Sequence, residues 1–276
     1  MSRAGRFLAA RLDRVRLGVH RRSAITRRCR LGEITMSVEV TSPRELSPTR
    51  AYVNEEPGTL EWLQGYVRAG DVLYDVGANI GLYSIYVAKR HGGSVPVYCF
   101  EPESQNYAAL NRNLYLNSVS DLVTPFCLAL TDQPRIEAFN VRGQLRAGGA
   151  IHQFGSTLDD MGRPFSPIHR HGMLGVALDD LHAAYGLPFP SHIKIDVDGQ
   201  EAAVIAGAAR TLSDERLKSV SIEVTDIPQR ADGTRAIFEA FEAAGFQVVS
   251  RASTRPARPD HLSSNIVFAR HGRDGG

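Results

Sequence analysis

The stretch Asp75-Val76-Gly77-Ala78-Asn79-Ile80-Gly81 decides the fold of this 276-residue chain. The run before it, Asp71-Val72-Leu73-Tyr74, is apolar and partly β-branched or aromatic, as a strand buried on both faces should be, and Leu82 to Arg90 reads as a helix. Two glycines and one acid therefore fall where a parallel strand hands over to a helix. Glycine takes backbone angles closed to other residues, and without a Cβ it lets the main chain approach a ligand closely. The loop reads as a cradle for a small molecule.

The dinucleotide fingerprint needs G-x-G-x-x-G, whereas Gly77 to Gly81 spells G-x-x-x-G, which weighs against a nicotinamide cofactor. An acid two residues before the first glycine suits a ligand with a free ammonium group, as S-adenosylmethionine has at its methionine end. One strand later, Val95 to Phe100 closes on Glu101-Pro102, with the acid 20 positions after Gly81. In α/β nucleotide-binding folds an acid at this spacing accepts hydrogen bonds from ribose hydroxyls. Pro102, with a fixed backbone angle and no N–H, suits the first turn of the next helix.

From Gly70 to Asn117 the blocks DVGANIG, Phe100-Glu101-Pro102 and Leu110-Asn111-Arg112-Asn113-Leu114-Tyr115-Leu116-Asn117 follow in order, and this stretch resembles the start of the FkbM family of S-adenosylmethionine-dependent methyltransferases. Leu178-Asp179-Asp180-Leu181, followed by Ile193-Lys194-Ile195-Asp196-Val197-Asp198-Gly199-Gln200-Glu201, resembles the same family's second signature. The usual wording there is KIDVEG, and this chain has Asp198, one methylene shorter, in place of glutamate. The resemblance covers residues 56 to 225. It implies S-adenosyl-L-methionine as cofactor, with Asp75, Gly77, Ala78, Asn79, Gly81 and Glu101 as its binding residues. It also implies methyl transfer to a hydroxyl of a small natural product, sugar or glycan.

Working outward, Gly58 to Val67 reads as a helix, and residues 71–76, 95–100, 122–127, 192–197 and 218–224 read as parallel strands. Helices are expected near 82–90, 103–116, 178–185, 200–212 and 233–244. Phe246 to Ser250 and Asn265 to Ala269 make two late strands. The expected class is α/β, a Rossmann-like methyltransferase fold whose mostly parallel seven-stranded sheet carries helices on both faces. From the resemblance, one of the closing strands is antiparallel.

Two regions stand apart. Residues 1–30 hold ten arginines and one acid, and Leu8, Leu12, Val15 and Val19 recur at helical spacing among them. This basic arm is a candidate contact for an anionic partner or a membrane surface, and Val38 to Thr49 reads as a linker, so that residues 1–50 precede a methyltransferase domain at 51–270. Within that domain, residues 131–175 break the alternation. Ile136 to Val141 and Ala150 to Phe154 read as extra strands, and Gly155 to Gly172 as a loop, together a candidate acceptor-recognition insertion containing His152, His169 and His171.

Composition agrees with an enzyme that works in the cytoplasm. No apolar run approaches the roughly 20 residues of a membrane span, and arginines interrupt the beginning of the chain before a secretory signal forms. Cys29, Cys99 and Cys127 are far apart and suit neither a disulfide framework nor a zinc site. The chain holds 29 arginines against 3 lysines, as a GC-rich bacterial genome would encode.

Chemistry is expected at the end of the fourth strand, because open parallel sheets bind ligands outside the carboxyl ends of strands where the winding reverses. Asp196, Lys194 and Asp198 are the catalytic candidates. Lys194 and Asp196 share one side of a strand, so pairing or ligand contact is expected of both. Asp196 with Asp198 or Glu223 offers a divalent-metal alternative, which is not favoured, and H-x-H at His169 and His171 is weak evidence for metal. The rival functions are a nicotinamide-dependent oxidoreductase and a non-catalytic scaffold acting through the basic arm.

Overall fold

The apolar runs on either side of the glycine loop become neighbouring elements of one sheet. The computed structural model describes residues 25–40, 57–143, 145, 147–254 and 262–270. The first elements are β1 (Ile25–Leu31) and β2 (Ile34–Val40), an antiparallel hairpin. Then come α1 (Pro57–Tyr66), β3 (Leu73–Val76), α2 (Leu82–His91), β4 (Val97–Phe100), α3 (Ser104–Leu116) and β5 (Val123–Phe126). The insertion supplies β6 (Ala129–Thr131), β7 (Arg135–Val141), β8 (Gln153–Phe154) and β9 (His169–Ala177). After it come α4 (Leu178–Ala183), β10 (His192–Ile195), α5 (Glu201–Ala206), α6 (Ala209–Ser213) and β11 (Ser219–Thr225). A 3-10 turn at Pro228–Arg230 opens α7 (Ala231–Ala243), followed by β12 (Phe246–Ser253) and β13 (Ser263–Arg270).

The main sheet has seven strands in the order β12-β13-β11-β10-β3-β4-β5. Its strands run parallel except β13, which lies antiparallel to both β11 and β12. This is the α/β, Rossmann-like arrangement expected, with the antiparallel strand inside the closing pair. Successive residues of β3 enter different cores. Leu73 packs with Trp62 and Leu63 of α1, Ile85 of α2 and Leu110 of α3. Tyr74 and Val76 pack with Leu181 of α4, Val204 of α5 and Phe241 of α7. Both faces are covered, which is why these strands read as nearly continuous apolar runs. The strand order reverses at β3, between β4 and β10, so the crevice beyond their carboxyl ends is the natural ligand site.

The structure corrects several local expectations. Val38 does not begin a linker. It is 0 % exposed on β2, where Met36 and Val38 enter the first core. Asn117 brackets Ser37, accepting from its N–H at 2.9 Å and donating to its carbonyl at 2.7 Å, while Asn113 accepts from Glu39 N at 3.0 Å. The helix expected over 200–212 is two helices. The carboxylate of Asp179 accepts from Arg210 N (2.9 Å) and Thr211 N (2.7 Å), and so starts α6 afresh. A Cβ on Gly207, between the two helices, would lie 2.1 Å from Thr131 O. Helix α3 begins after Pro102: Glu103 is its N-cap and accepts from Gln105 N and Asn106 N.

Finally, the loop expected over Gly155 to Gly172 gives way at His169 to β9, which pairs antiparallel with β7 and parallel with β6 in a four-stranded sheet. Of the segments expected as extra strands, Ile136 to Val141 lies within β7, but only Gln153 and Phe154 of Ala150 to Phe154 are strand, with Phe139 opposite Phe154 and Asn140 opposite Gln153. The amphipathic pattern through Leu8, Leu12, Val15 and Val19 and the linker residues 41–49 lie outside the described residues. No helix among the described residues is long and apolar enough to cross a membrane.

Candidate active site

A cavity of about 260 Å³ opens at the carboxyl ends of β3, β4 and β10, beneath the insertion. The glycine loop forms one wall. Gly77 N and Ala78 N donate to Phe100 O at 2.9 and 3.1 Å, tying the loop to the end of β4. Gly77 has a φ of 77°. A Cβ there would lie 1.8 Å from Asp196 O, so the first reason for this glycine is the close packing of the loop on the chain leaving β10. At Gly81, φ is 88° and a Cβ would lie 3.2 Å from Leu110 Cγ, where the loop rests on α3.

Glu101 stands at the end of β4, 6 % exposed and facing the cavity. Its Oε2 accepts from Asn79 N at 2.8 Å and its Oε1 from Glu103 N at 2.9 Å, while Asn106 Nδ2 lies 3.4 Å from Oε1. Burial pushes the carboxyl up to about 7 against these hydrogen bonds, which favour the charged form. These donors are amides without full charge. The carboxylate retains further acceptor capacity for hydroxyl donors in the cavity.

The remaining candidates divide between wall and support. Gly77, Asn79, Glu101, Asp196 and Asp198 line the cavity, whereas Asp75, Ala78, Gly81 and Lys194 lie behind the lining. Asp75 is 1 % exposed, and its Oδ2 accepts from Ser84 Oγ at 2.7 Å. The Lys194 ammonium sits 3.6 Å from Asp75 Oδ1 and 3.2 Å from Asp196 Oδ2, and 5.4 Å from the Tyr83 ring centroid. Lys194 thus bridges the acid of the first signature to that of the second. The pairing expected of two charged residues in an apolar sheet is met by this bridge.

Beyond β10 the chain turns through Asp198 (φ 53°) and Gly199 (φ 97°). Asp198 Oδ2 accepts from Ile151 N at 2.6 Å, and Asp198 O accepts from Gln153 Nε2 at 2.8 Å, so this turn carries the insertion. Burial, reinforced by the neighbouring Asp196, pushes the Asp198 carboxyl up to about 8. Arg230 closes the same corner, donating to Asp159 O at 2.7 Å, Asp160 O at 2.6 Å and Gly199 O.

Among the insertion histidines, His152 lines the cavity and His169 and His171 do not. His152 Nδ1 accepts from Arg142 N at 3.1 Å, which places the proton of the neutral ring on Nε2. His169 and His171 stand on β9, with His171 beside the Phe139 ring at a centroid distance of 5.3 Å. Among the described residues no group of three or more His, Cys, Asp or Glu is arranged to hold a metal ion.

Residues 75–248 match the methyltransferase FkbM domain. The chain belongs to the FkbM methyltransferase family. It is 27 % identical over 204 residues to the 31-O-demethyl-FK506 methyltransferase FkbM of Streptomyces tacrolimicus, covering 67 % of this chain and 75 % of that protein. Among solved structures it is similar to precorrin-6y C5,15-methyltransferase from Geobacter metallireducens, with 14 % identity over 76 % of this chain and 85 % of that one and a TM-score of 0.43. It is also similar to Aeropyrum pernix fibrillarin with natively bound S-adenosyl-L-methionine, with 11 % identity over 73 % and 67 % of the two chains and a TM-score of 0.44.

The FkbM match begins at the buried Asp75 and so includes both acids that Lys194 bridges. In this FkbM methyltransferase Asn106 and Asn113 of α3 touch the candidate site, contacts that sequence reasoning missed. Asn113, 0 % exposed, donates to Ile80 O at 2.9 Å and so secures the glycine loop from below. Asn106 meets both Glu101 and the insertion. Their signal was present: Asn106, Asn113 and Asn117 fall on one face of a helix at spacings of seven and four, on the side that also carries Leu110 and Leu114. Amides on a buried face need partners: Asn106 meets Glu101 and Gly149 O, Asn113 meets Ile80 O and Glu39 N, and Asn117 meets Ser37 of β2.

Proposed function

We propose that this methyltransferase binds S-adenosyl-L-methionine between the glycine loop and the insertion, and methylates a hydroxyl oxygen of a small natural product, sugar or glycan. The observation that carries the reading is Glu101, a buried carboxylate fixed by Asn79 N and Glu103 N and facing the cavity. Such a group suits the two hydroxyls of a ribose. Of the two acids that Lys194 bridges, Asp196 is the one that faces the cavity, because Asp75 is enclosed by Ser84 and Lys194. The oxygen acceptor is supported by the Streptomyces relative, whose name specifies a 31-O-demethyl substrate.

The cofactor supplies an activated methyl group on a sulfonium, with a good leaving group built in. The chain's own task is then mainly alignment, through the effective concentration gained when reacting groups are held in line. A hydroxyl must also lose its proton. Asp198, held near neutrality by burial, is matched to that exchange, and its Oδ2 is fixed by Ile151 N. His152 lies on the acceptor side of the cavity, with its Nδ1 held by Arg142 N.

Calorimetry with S-adenosylhomocysteine on the parent and on Glu101→Ala tests the reading. The substitution is expected to weaken binding by about 1.5 to 3 kcal/mol, the range for hydrogen bonds to a charged group. Transfer of a labelled methyl group to hydroxylated acceptors, abolished by Asp198→Ala, completes the test. A folded parent that binds neither S-adenosylmethionine nor S-adenosylhomocysteine overturns it.

A further inference from the structure

Residues 147–152 cross the mouth of the cavity, from the β4–α3 corner to the turn after β10. Gly149, Ala150, Ile151 and His152 all line it. At the first corner, Asn106 Oδ1 accepts from Gly148 N at 2.8 Å and Asn106 Nδ2 donates to Gly149 O at 3.0 Å. Asn79 Nδ2, from the glycine loop, approaches the same carbonyl at 3.3 Å. At the second corner, Ile151 N is held by Asp198 Oδ2 at 2.6 Å.

Ile151 has a φ of 66° and Asp198 a φ of 53°. A left-handed conformation is costly for a β-branched residue and persists only where its surroundings hold it. The segment is therefore a strap, kept in a strained form by latches at both ends. One latch is Asn106, which is 2 % exposed and whose amide also faces the carboxylate proposed to hold the ribose.

We propose that Asn106 is a positioning residue that makes the strap part of the cofactor site, so that filling the ribose end and docking the strap are one coupled event. The proposal rests on the cofactor reading above. A ribose held by Glu101 engages the carboxylate that Asn106 faces, and the same Asn106 amide holds Gly148 and Gly149. The strap carries His152 and seats against Asp198, so the acceptor side of the cavity is completed when the cofactor side is filled. Coupling of this kind is reciprocal: what the ligand does to the strap, the strap does to the ligand.

Hydrogen exchange on the full chain, with and without S-adenosylhomocysteine, tests this. Saturating ligand is expected to slow exchange across residues 147–152 by about tenfold or more, with β3 and β10 serving as controls for the fold. In Asn106→Ala, strap exchange in the presence of ligand returns toward the ligand-free rate and the dissociation constant rises about tenfold, while β3 and β10 keep their protection. A residue that merely supports the fold would alter exchange equally with and without ligand. Parent protein that binds S-adenosylhomocysteine without slowing the strap overturns the coupling and leaves the cofactor reading intact, even if Asn106→Ala does not fold. Parent protein that does not bind it overturns the cofactor reading instead.

Discussion

Gly77→Ala separates packing from ligand contact in the glycine loop. The residue has a φ of 77°, and the added methyl carbon would lie 1.8 Å from Asp196 O, far inside van der Waals contact. Moving an alanine into the left-handed region costs about 1 to 2 kcal/mol. Relieving the overlap requires the loop and the chain beyond β10 to separate, and over-packing of this kind adds about 1 to 3 kcal/mol. The loop is held to β4 by Gly77 N and Ala78 N, and the β10 end is held through Asp196 N to Val76 O at 3.0 Å, so neither side yields freely. The expected loss of stability in ligand-free protein is therefore about 2 to 5 kcal/mol. Urea unfolding followed by circular dichroism measures it. With a slope of about 3 kcal/mol per molar, the midpoint falls by roughly 0.7 to 1.7 M. A midpoint unchanged within about 0.2 M, with S-adenosylhomocysteine binding lost, would refute the reasoning and show that the glycine serves the ligand alone.

Three further outcomes follow from the same geometry. Glu101 and Asp198 have carboxyls raised by burial from 4.5 to about 7 and from 3.8 to about 8, so their contribution to ligand-free stability is present in acid and lost as pH rises through those values. Ribose hydroxyls require the ionised Glu101, so S-adenosylhomocysteine affinity is expected to rise through about pH 7; thermal melts with and without ligand across pH 5 to 9 check both signs, and parallel pH profiles would contradict the Glu101 assignment. Lys194→Met leaves Asp75 and Asp196 without their shared ammonium and is expected to cost about 3 to 5 kcal/mol in urea unfolding, a loss under about 1 kcal/mol arguing against a bridge. Asp179→Ala removes the acceptor at the start of α6 and is expected to cost about 1 to 2 kcal/mol, with faster exchange at Arg210 N and Thr211 N; unchanged exchange there counts against the cap.

Much of the fold was legible because a parallel sheet covered on both faces leaves a plain record. The runs around Leu73, Val97, Ile193 and Val220 are largely apolar and each is followed by a helix pattern, whereas the run at Val123 leads into the insertion. What escaped the sequence depended on partners far along the chain. The β1–β2 hairpin was hidden by arginines on β1, although Ile34, Met36, Val38 and Val40 alternate as one strand face should. Strand β9 begins in His169-Arg170-His171-Gly172, whose polar composition reads as loop, and it is a strand because β7 and β6 lie on either side. The break between α5 and α6 comes from Asp179, some thirty residues earlier and adjacent only after folding.

The site divides in the same way. By itself the sequence determined the chemistry on offer: a glycine loop after one parallel strand, an acid at the end of the next, and acids at the end of a later one, since local backbone preference and strand order place those groups at one sheet edge. Only the tertiary structure decided which of them face the cavity. Asp75 and Asp196 look alike in the chain, but Lys194 and Ser84 enclose the first while the second lines the cavity wall. Gly77 reads as a ligand-contact glycine, and in the fold a Cβ there would also collide with Asp196 O. Burial and pairing are properties of what folding brings from elsewhere, so a residue's exposure, charge state and partners are fixed only when the distant segments arrive.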